Sequence, residues 1–380
     1  MSESILARAA ELKGQLIDFG ESQRFAKAFR RQFRRKFGDP GVIEDEGEAI
    51  NFFDWFLLEH VLPDGETVLD KFVRDRKDLS ASDKEMLLRW KEAVDSLFEI
   101  AEHRGDGLIL RDLEDDCRYL AKSNMGPKVL AGVKRDMLLT ARLVPLEDYW
   151  MVSGSLMIVQ ESDKKALYQL AHERMVKNPS RVFQRNPAKL KEAWDMQAED
   201  RSDFIAFFGS DLVVVEGASL ARKTEDLLHY KVFIKKGEDG STAADRARRH
   251  HGVTPALPKV ELPQDLLAAP TVAIIYDEKE GLNYYAHFGL FQETFERPEL
   301  VNDRRHRDVV RGYLKSASVS TLPFRRMAQM YPSSCQVVLA DVAGWADFNL
   351  ERDFEKLLRR YKRKWMERTF YPSVMPVEGL

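Results

Sequence analysis

The clearest hydrophobic pattern in the chain is a phenylalanine at every fourth position of the stretch FAKAFRRQFRRKF, which spans residues 25–37. At about 100° per residue in a helix, four rings with this spacing cover about one third of the circumference. Five basic residues of the stretch, together with the preceding Arg24, occupy the remainder, and Lys36 falls on the aromatic side. The pattern therefore predicts a buried aromatic stripe and a separate basic face.

Helical spacing also dominates the rest of the N-terminal region. Residues 1–38 predict two helices, the second capped by Ser22 and stopped by the Gly-Asp-Pro sequence at 38–40. Further amphipathic stretches begin after Thr67 and Ser80. We therefore predict a helical domain over residues 1–96.

The pattern changes to short apolar runs separated by turns from residue 97 onward. The predicted strands are LFEIAEH, LILRDL, CRYLAK, KVLAGVK, MLLTARLVPL and YWMVSGSLMIVQ. So many strands in so short a segment predict a small antiparallel β-barrel over residues 97–160, either SH3-like or OB-like. The alternative is a strand meander that packs on the N-terminal helices.

Helices and strands mix in the C-terminal part of the chain. Residues 161–208 predict a helical connection, and the strands expected after it are DLVVVEG, YKVFIKK, TVAIIYD, LNYYAHF and CQVVLAD. Residues 235–270 are rich in glycine, proline and charge, which predicts a mobile insertion or a linker. The predicted fold class is thus α+β, with a helical domain, a small barrel and a mixed domain over residues 161–380.

Composition restricts the class of protein further. The 380 residues carry 59 Lys and Arg against 62 Asp and Glu, so any electrostatic function must come from segregated charge. The two cysteines, Cys117 and Cys335, are far apart in sequence, which is typical of a reducing compartment. The sequence contains no apolar run of membrane-span length and no signal-peptide pattern. We expect a cytoplasmic protein without a membrane partner.

Catalytic motifs are missing from the sequence. The chain contains no GxSxG, GxxxxGK[ST] or GxGxxG pattern, and its two cysteines cannot form a paired zinc site. We therefore expect no catalytic residue, no metal and no cofactor. The strongest enzyme alternative is a metal-dependent nuclease centred on Asp277, because Asp277-x-Lys279 follows the predicted strand TVAIIYD.

Arginine-rich clusters are the strongest functional signal. They predict a phosphate-binding surface, since arginine suits bidentate contacts with phosphate. The predicted nucleic-acid-binding residues are Arg24, Lys27, Arg30, Arg31, Arg34, Arg35, Arg304, Arg305, Arg307, Arg359, Arg360 and Arg363.

Two other uses of these charges stay open. The clusters could be ordinary solvated faces. The first cluster could also pair within the chain, because residues 39–66 contain nine acidic residues and no Lys or Arg. In that case the acidic segment would neutralise the basic helix or cover it until a partner binds.

Several stretches together resemble a family of poorly characterised bacterial cytoplasmic proteins. They are NFFDWFLLEHVLPDGETVLDKFV, RDMLLTARLVPLEDYWMVSG, FIAFFGSDLVV, TVAIIYDEKEGLNYYAHFGLF and RGYLKSASVSTLPFRRM. Some members of that family end in a SEC-C zinc motif, but the C-terminal RTFYPSVMPVEGL has no cysteine, so the zinc site that the resemblance would imply is not expected. The resemblance covers most of residues 50–370 and implies no catalytic residue.

These observations favour a non-enzymatic cytoplasmic binding protein that contacts RNA or a ribonucleoprotein through its arginine-rich surfaces. The first alternative is a protein–protein adaptor whose charged patches meet an oppositely charged partner. The second is the nuclease or another hydrolase near Asp277.

Overall fold

The computed structural model describes residues 2–38, 46–130, 132–374 and 376. The chain forms two compact units, Met1–Pro187 and Ala188–Leu380. The described residues contain no helix that combines the length and the apolar character needed to cross a membrane. The division into three domains that the sequence suggests stays a prediction.

The first unit begins with a layer of helices. They are α1 (Ser2–Gly20), α2 (Gln23–Phe37), α3 (Glu46–Leu58), α4 (Val68–Asp75) and α5 (Ala81–Arg89). Capping boxes start two of them, because Thr67 pairs reciprocally with Asp70 at α4 and Ser80 with Asp83 at α5. The two residues that the sequence marks as helix starts therefore fix these N-termini.

The aromatic stripe of α2 packs against α3. The Phe29 ring lies 5.2 Å from that of Phe53 and 5.3 Å from that of Phe56, both edge-on, and Phe33 lies 5.7 Å from Phe52. Edge-to-face aromatic pairs stabilise a core beyond the area that they bury. The stripe is a packing surface, as the periodicity predicts.

A closed five-stranded barrel follows these helices within the described residues. Its strands are β1 (Val94–Arg104), β2 (Gly107–Asp112), β3 (Arg118–Ser123), β4 (Leu138–Leu146) and β5 (Tyr149–Ile158). The order around the barrel is β1-β2-β3-β5-β4, and every pair is antiparallel except β3 with β5. This is the Greek-key order of the OB-fold, so the predicted barrel is confirmed and is OB-like. The expected strand KVLAGVK instead contributes a 3₁₀ turn, Pro127–Leu130.

The outer face of β4 and β5 is covered by the N-terminal helices. Val144 and Met151 lie in one buried cluster with Leu12, Phe56 and Trp90. Alternate residues of the same strands, such as Leu143 and Val152, fill the barrel interior. Two helices close the unit, α6 (Lys164–Lys177) and α7 (Pro179–Arg185).

The second unit combines a three-stranded antiparallel sheet, ordered β6-β7-β8, with helices. Its strands are β6 (Leu212–Val215), β7 (Val272–Asp277) and β8 (Gly281–Ala286). Its helices are α8 (Pro187–Phe208), α9 (Leu220–His229), α10 (Ala243–His251), α11 (Gln264–Leu267), α12 (Phe288–Glu296), α13 (Arg304–Lys315), α14 (Leu322–Met330), α15 (Pro332–Ala343) and α16 (Leu350–Met366). The α+β class predicted from the sequence is confirmed.

Two of the expected strands in this unit are helical. YKVFIKK continues α9 as a π-helical turn, Tyr230–Ile234, in which Lys231 pairs with Asp200 of α8. CQVVLAD lies inside α15, whose proline at the first turn and left-handed Gly344 cap define a helix. The segment 235–270 contains α10 and α11, and its Leu262 and Leu266 pack in the cluster around the sheet.

Candidate nucleic-acid interface

Five cations of α2 form an exposed face opposite the phenylalanine stripe. We call them the α2 basic face, and they are Lys27, Arg30, Arg31, Arg34 and Arg35. None of the five forms an ion pair or a side-chain hydrogen bond with any residue in the described part of the chain. The five residues span about 12 Å along the helix axis, since each residue of a helix adds 1.5 Å.

The other two cations of α2 have structural partners. Arg24 forms an ion pair with Asp75 at 2.6 Å and lies over the Phe25 ring, 5.2 Å from its centroid. Lys36 pairs with Glu48 at 3.1 Å and lies 4.9 Å from the centroid of Phe37. Arg24, predicted from the sequence as a nucleic-acid contact, is thus engaged within the protein.

The described acidic residues after α2 neutralise other parts of the unit. Asp64 and Glu66 both pair with Lys71, and Asp54 pairs with Lys13 of α1. Apart from Glu48, no acid at positions 46–66 forms an ion pair with α2. The remaining acids of the predicted covering segment, Asp39, Glu44 and Asp45, lie outside the described residues.

A row of polar side chains crosses the barrel wall beneath the helices, with Arg142 and Ser153 buried and Asp95 exposed at its end. Asp95 of β1, Arg142 of β4 and Ser153 of β5 are direct cross-strand neighbours. The guanidinium of Arg142, only 2 % exposed, donates to Asp95 Oδ2 at 2.9 Å and also pairs with Glu59. Burial lowers the pKa of Arg142, and the negative charge of Asp54, 4.0 Å from its Nε, opposes this shift.

A cleft of about 610 Å³ opens between the α2 basic face and this row. We call it the α2–α3 cleft, and it is lined by Gln32, Arg35, Lys36, Asn51, Phe52, Trp55, His60, Asp95 and Arg142. Arg35 belongs both to the cleft and to the α2 basic face. A ligand in the cleft would therefore be continuous with one bound along the helix.

His60 forms part of the aromatic wall of the cleft as a neutral ring. Its imidazole stacks on Phe56, with centroids 5.3 Å apart and an angle of 21° between the planes, and lies 5.2 Å from Trp55. Burial lowers the pKa of His60, and the positive charge of Arg31 lowers it further. His60 is therefore uncharged at neutral pH and serves as an aromatic surface.

The predicted basic residues of the second unit lie in two separate places. Arg304, Arg305 and Arg307 belong to the first turn of α13, whereas Arg359, Arg360 and Arg363 belong to α16. The ammonium of Lys362 donates to Tyr313 O and Ser316 O, both at 2.6 Å, which fixes this part of α16 at the opposite end of α13. Roughly 14 Å of helix separates the two groups, so they do not form one patch.

Half of these six arginines have acidic neighbours. Arg304 pairs with Asp308 at 3.5 Å, Arg307 with Asp341 at 3.2 Å and Arg363 with Glu367 at 2.8 Å. Within the described residues, Arg305, Arg359 and Arg360 have no ion-pair partner. The α2 basic face therefore remains the densest group of uncompensated charge that the structure describes.

The residue proposed for nuclease chemistry has a local structural role. Asp277 Oδ1 accepts the backbone N–H of Lys279 at 2.9 Å and that of Glu280 at 3.0 Å, which closes the β7–β8 turn. Among the residues that the structure describes, no three His, Cys, Asp or Glu side chains are grouped so that they could hold a metal ion.

A comparison with protein families identifies the N-terminal half of the chain. The model of DUF7986, a family of unknown function, matches residues 8–208, which is more than half of the sequence. This chain belongs to DUF7986. No curated protein and no solved structure matches it. The resemblance to an uncharacterised family is thereby confirmed.

The DUF7986 match includes every residue of the α2 basic face and of the α2–α3 cleft. Most of the cleft could not be predicted from sequence, since Trp55 and His60 come from α3 and the turn after it, whereas Asp95 comes from β1. Arg142 is the one residue of the cleft whose buried ion pair the sequence could have indicated. It is the single charged residue in the apolar strand MLLTARLVPL, and a lone charge in such a strand requires a buried partner.

Proposed function

We propose that this protein binds RNA in the cytoplasm, alone or within a ribonucleoprotein, and that the α2 basic face contacts the phosphate backbone. One observation carries the proposal. Five cations stand together on an exposed helix face without an ion-pair partner among the described residues. The resemblance to bacterial cytoplasmic proteins, some of which carry SEC-C motifs, supports the proposed location.

The spacing of these charges is unfavourable for the free protein. Three pairs of like charges lie four residues apart: Lys27 with Arg31, Arg30 with Arg34, and Arg31 with Arg35. Such pairs each destabilise a helix by about 0.2–0.5 kcal/mol. A phosphate backbone would turn this repulsion into attraction, and the release of condensed counterions would add to the affinity.

The composition of the face fits phosphate better than a generic acidic surface. Four of the five cations are arginines, whose planar fork binds phosphate oxygens in a bidentate manner. The cleft beside them offers half-buried aromatic rings, Trp55 and His60, which suit unpaired bases better than a duplex. Single-stranded RNA therefore matches both parts of the site.

A pair of charge-reversal variants tests the proposal. We expect Arg30→Glu/Arg34→Glu to weaken binding of a short unstructured RNA by at least about tenfold, because two phosphate contacts become repulsive. Arg359→Glu/Arg360→Glu changes the net charge equally in the second unit and serves as the matched control. Equal losses in both variants, or no RNA binding by the wild type at low salt, would contradict the assignment.

The same preparation distinguishes a protein partner. Capture from lysate with and without ribonuclease separates partners held through RNA from those held directly. The adaptor and nuclease functions stay predictions, because no contact or cluster among the described residues specifically favours either one.

A further inference from the structure

We propose that the α2–α3 cleft receives one unstacked guanine base of the bound RNA. The inference rests on the proposed function and adds a base preference to it. It depends on three features of the cleft: its aromatic wall, a carboxylate held in place at its edge, and its continuity with the α2 basic face.

The aromatic wall is held rigid by packing. The indole of Trp55 lies 5.3 Å from Phe52, and the ring of His60 stacks on Phe56 behind it. Both Trp55 and His60 remain partly exposed and line the cleft. A volume of about 610 Å³ admits a nucleotide, since small-molecule sites commonly measure about 300–1,000 Å³. Aromatic faces of this kind stack on unpaired bases.

The carboxylate at the cleft edge is Asp95. Its Oδ2 is fixed by the buried guanidinium of Arg142 at 2.9 Å, and the two residues are cross-strand neighbours in the barrel. No described residue donates a hydrogen bond to its Oδ1, and 51 % of the side chain is exposed. Asp95 therefore presents a positioned acceptor to whatever enters the cleft.

This acceptor discriminates among the bases. The Watson–Crick edge of guanine carries two adjacent donors, N1–H and the N2 amino group, which both match a carboxylate. Adenine and cytosine place a ring acceptor beside their amino group, and uracil flanks its single N–H with two carbonyl oxygens. A fixed carboxylate repels those acceptors, so guanine is the preferred occupant.

Arg35 connects the base to the backbone. It lines the cleft and is also part of the α2 basic face, and it has no ion-pair partner among the described residues. A nucleotide with its base against Trp55 would thus place its phosphate beside Arg35. The adjacent phosphates would then follow Arg31 and Lys27 at one-turn intervals along α2.

Binding of short oligonucleotides to the full chain tests the inference. The probes are octauridine and the same oligonucleotide with its central uridine replaced by guanosine, adenosine or cytidine. We expect the guanosine probe to bind about tenfold more tightly than octauridine. Asp95→Asn should reduce that preference to less than about twofold without weakening octauridine binding, because the amide oxygen of the new side chain can still accept from Arg142 while the charge that repels uracil is removed. Asp148→Asn, in the exposed β4–β5 turn, is the matched control.

The outcomes separate the two proposals. Equal binding of all four probes by the wild type, or a guanosine preference that survives Asp95→Asn, overturns the guanine site and leaves RNA binding intact. If no probe binds, the proposed function fails, and calorimetry with guanosine monophosphate decides the cleft alone. Saturable binding of guanosine monophosphate that is lost in Asp95→Asn would then support the guanine site. Absence of any heat of binding would overturn the guanine site.

Discussion

Arg31→Glu should stabilise the protein and weaken its binding to RNA. Arg31 lies mid-helix, with Lys27 and Arg35 one turn away on either side and no acidic partner in the described chain. The substitution converts two repulsive pairs into attractive ones. Each pair changes by about 0.4–1 kcal/mol, so the free energy of unfolding rises by about 0.8–2 kcal/mol at low salt.

The expected change is large enough for a routine thermal melt. For a unit of this size, 1 kcal/mol shifts the melting temperature by about 2–4 °C. The gain should shrink between about 0.01 M and about 1 M ionic strength, because salt screens exposed charges. Arg31→Gln removes the repulsion without adding attraction, and it should give about half of the stabilisation.

RNA binding should change in the opposite direction. Loss of one phosphate contact and gain of one repulsive charge should raise the Kd by about tenfold or more in a filter-binding assay. A lower melting temperature for Arg31→Glu would refute the reasoning, because it would mean that Arg31 already makes an attractive contact. A stabilised variant with unchanged RNA affinity would refute the role of the α2 basic face.

Four further variants test the buried polar groups. In a denaturant titration, Asp54→Ala should lower the free energy of unfolding by about 3–5 kcal/mol, because it leaves Lys13 buried without its carboxylate partner. The double variant Lys13→Met/Asp54→Leu removes both charges and should leave the free energy of unfolding nearly unchanged. Burial and the charge of Asp115 raise the pKa of Asp112 to about 7 from 3.8, so its stabilising contribution is present below about pH 4 and is lost as the pH rises through 7. Between about pH 4 and pH 7, the free energy of unfolding of Asp112→Asn should therefore increase relative to that of the wild type. A difference between the two proteins that does not change with pH would contradict the raised pKa of Asp112. Lys362→Met should cost about 1–3 kcal/mol in a thermal melt, because it removes the donor to two carbonyl oxygens.

Amphipathic periodicity and turn chemistry predicted the first unit well. The α2 stripe, the caps at Thr67 and Ser80 and the barrel strands all follow from local patterns. The sequence could not distinguish the SH3-like from the OB-like barrel, because that choice depends on the parallel pairing of Ala121 with Trp150 across a long connection.

The wrong strand predictions share one physical origin. Short runs such as CQVVLAD and YKVFIKK are rich in residues that favour strands, but tertiary packing and caps decide their structure. Cys335, Val338, Leu339 and Val342 are all buried at helical spacing in α15, and Pro332 and Gly344 delimit the helix. The sequence does show helical spacing of these apolar residues, but its β-branched residues led to the prediction of a strand.

The candidate site was predictable only in part. The α2 basic face follows from the periodicity of one helix. The α2–α3 cleft depends on long-range contacts that place Asp95 and Arg142 beside α3, and no local pattern reports such contacts.

The salt dependence of RNA binding tests the central claim most directly. If the protein makes five phosphate contacts, a plot of log Kd against the logarithm of the salt concentration should have a slope of about 3.5 for single-stranded RNA. Arg30→Gln/Arg34→Gln removes two of these contacts and should reduce the slope by about 1.4. The matched variant Arg359→Gln/Arg360→Gln should retain the wild-type slope. A wild-type slope near zero, or an equal reduction in both variants, would contradict the assignment of phosphate binding to the α2 basic face.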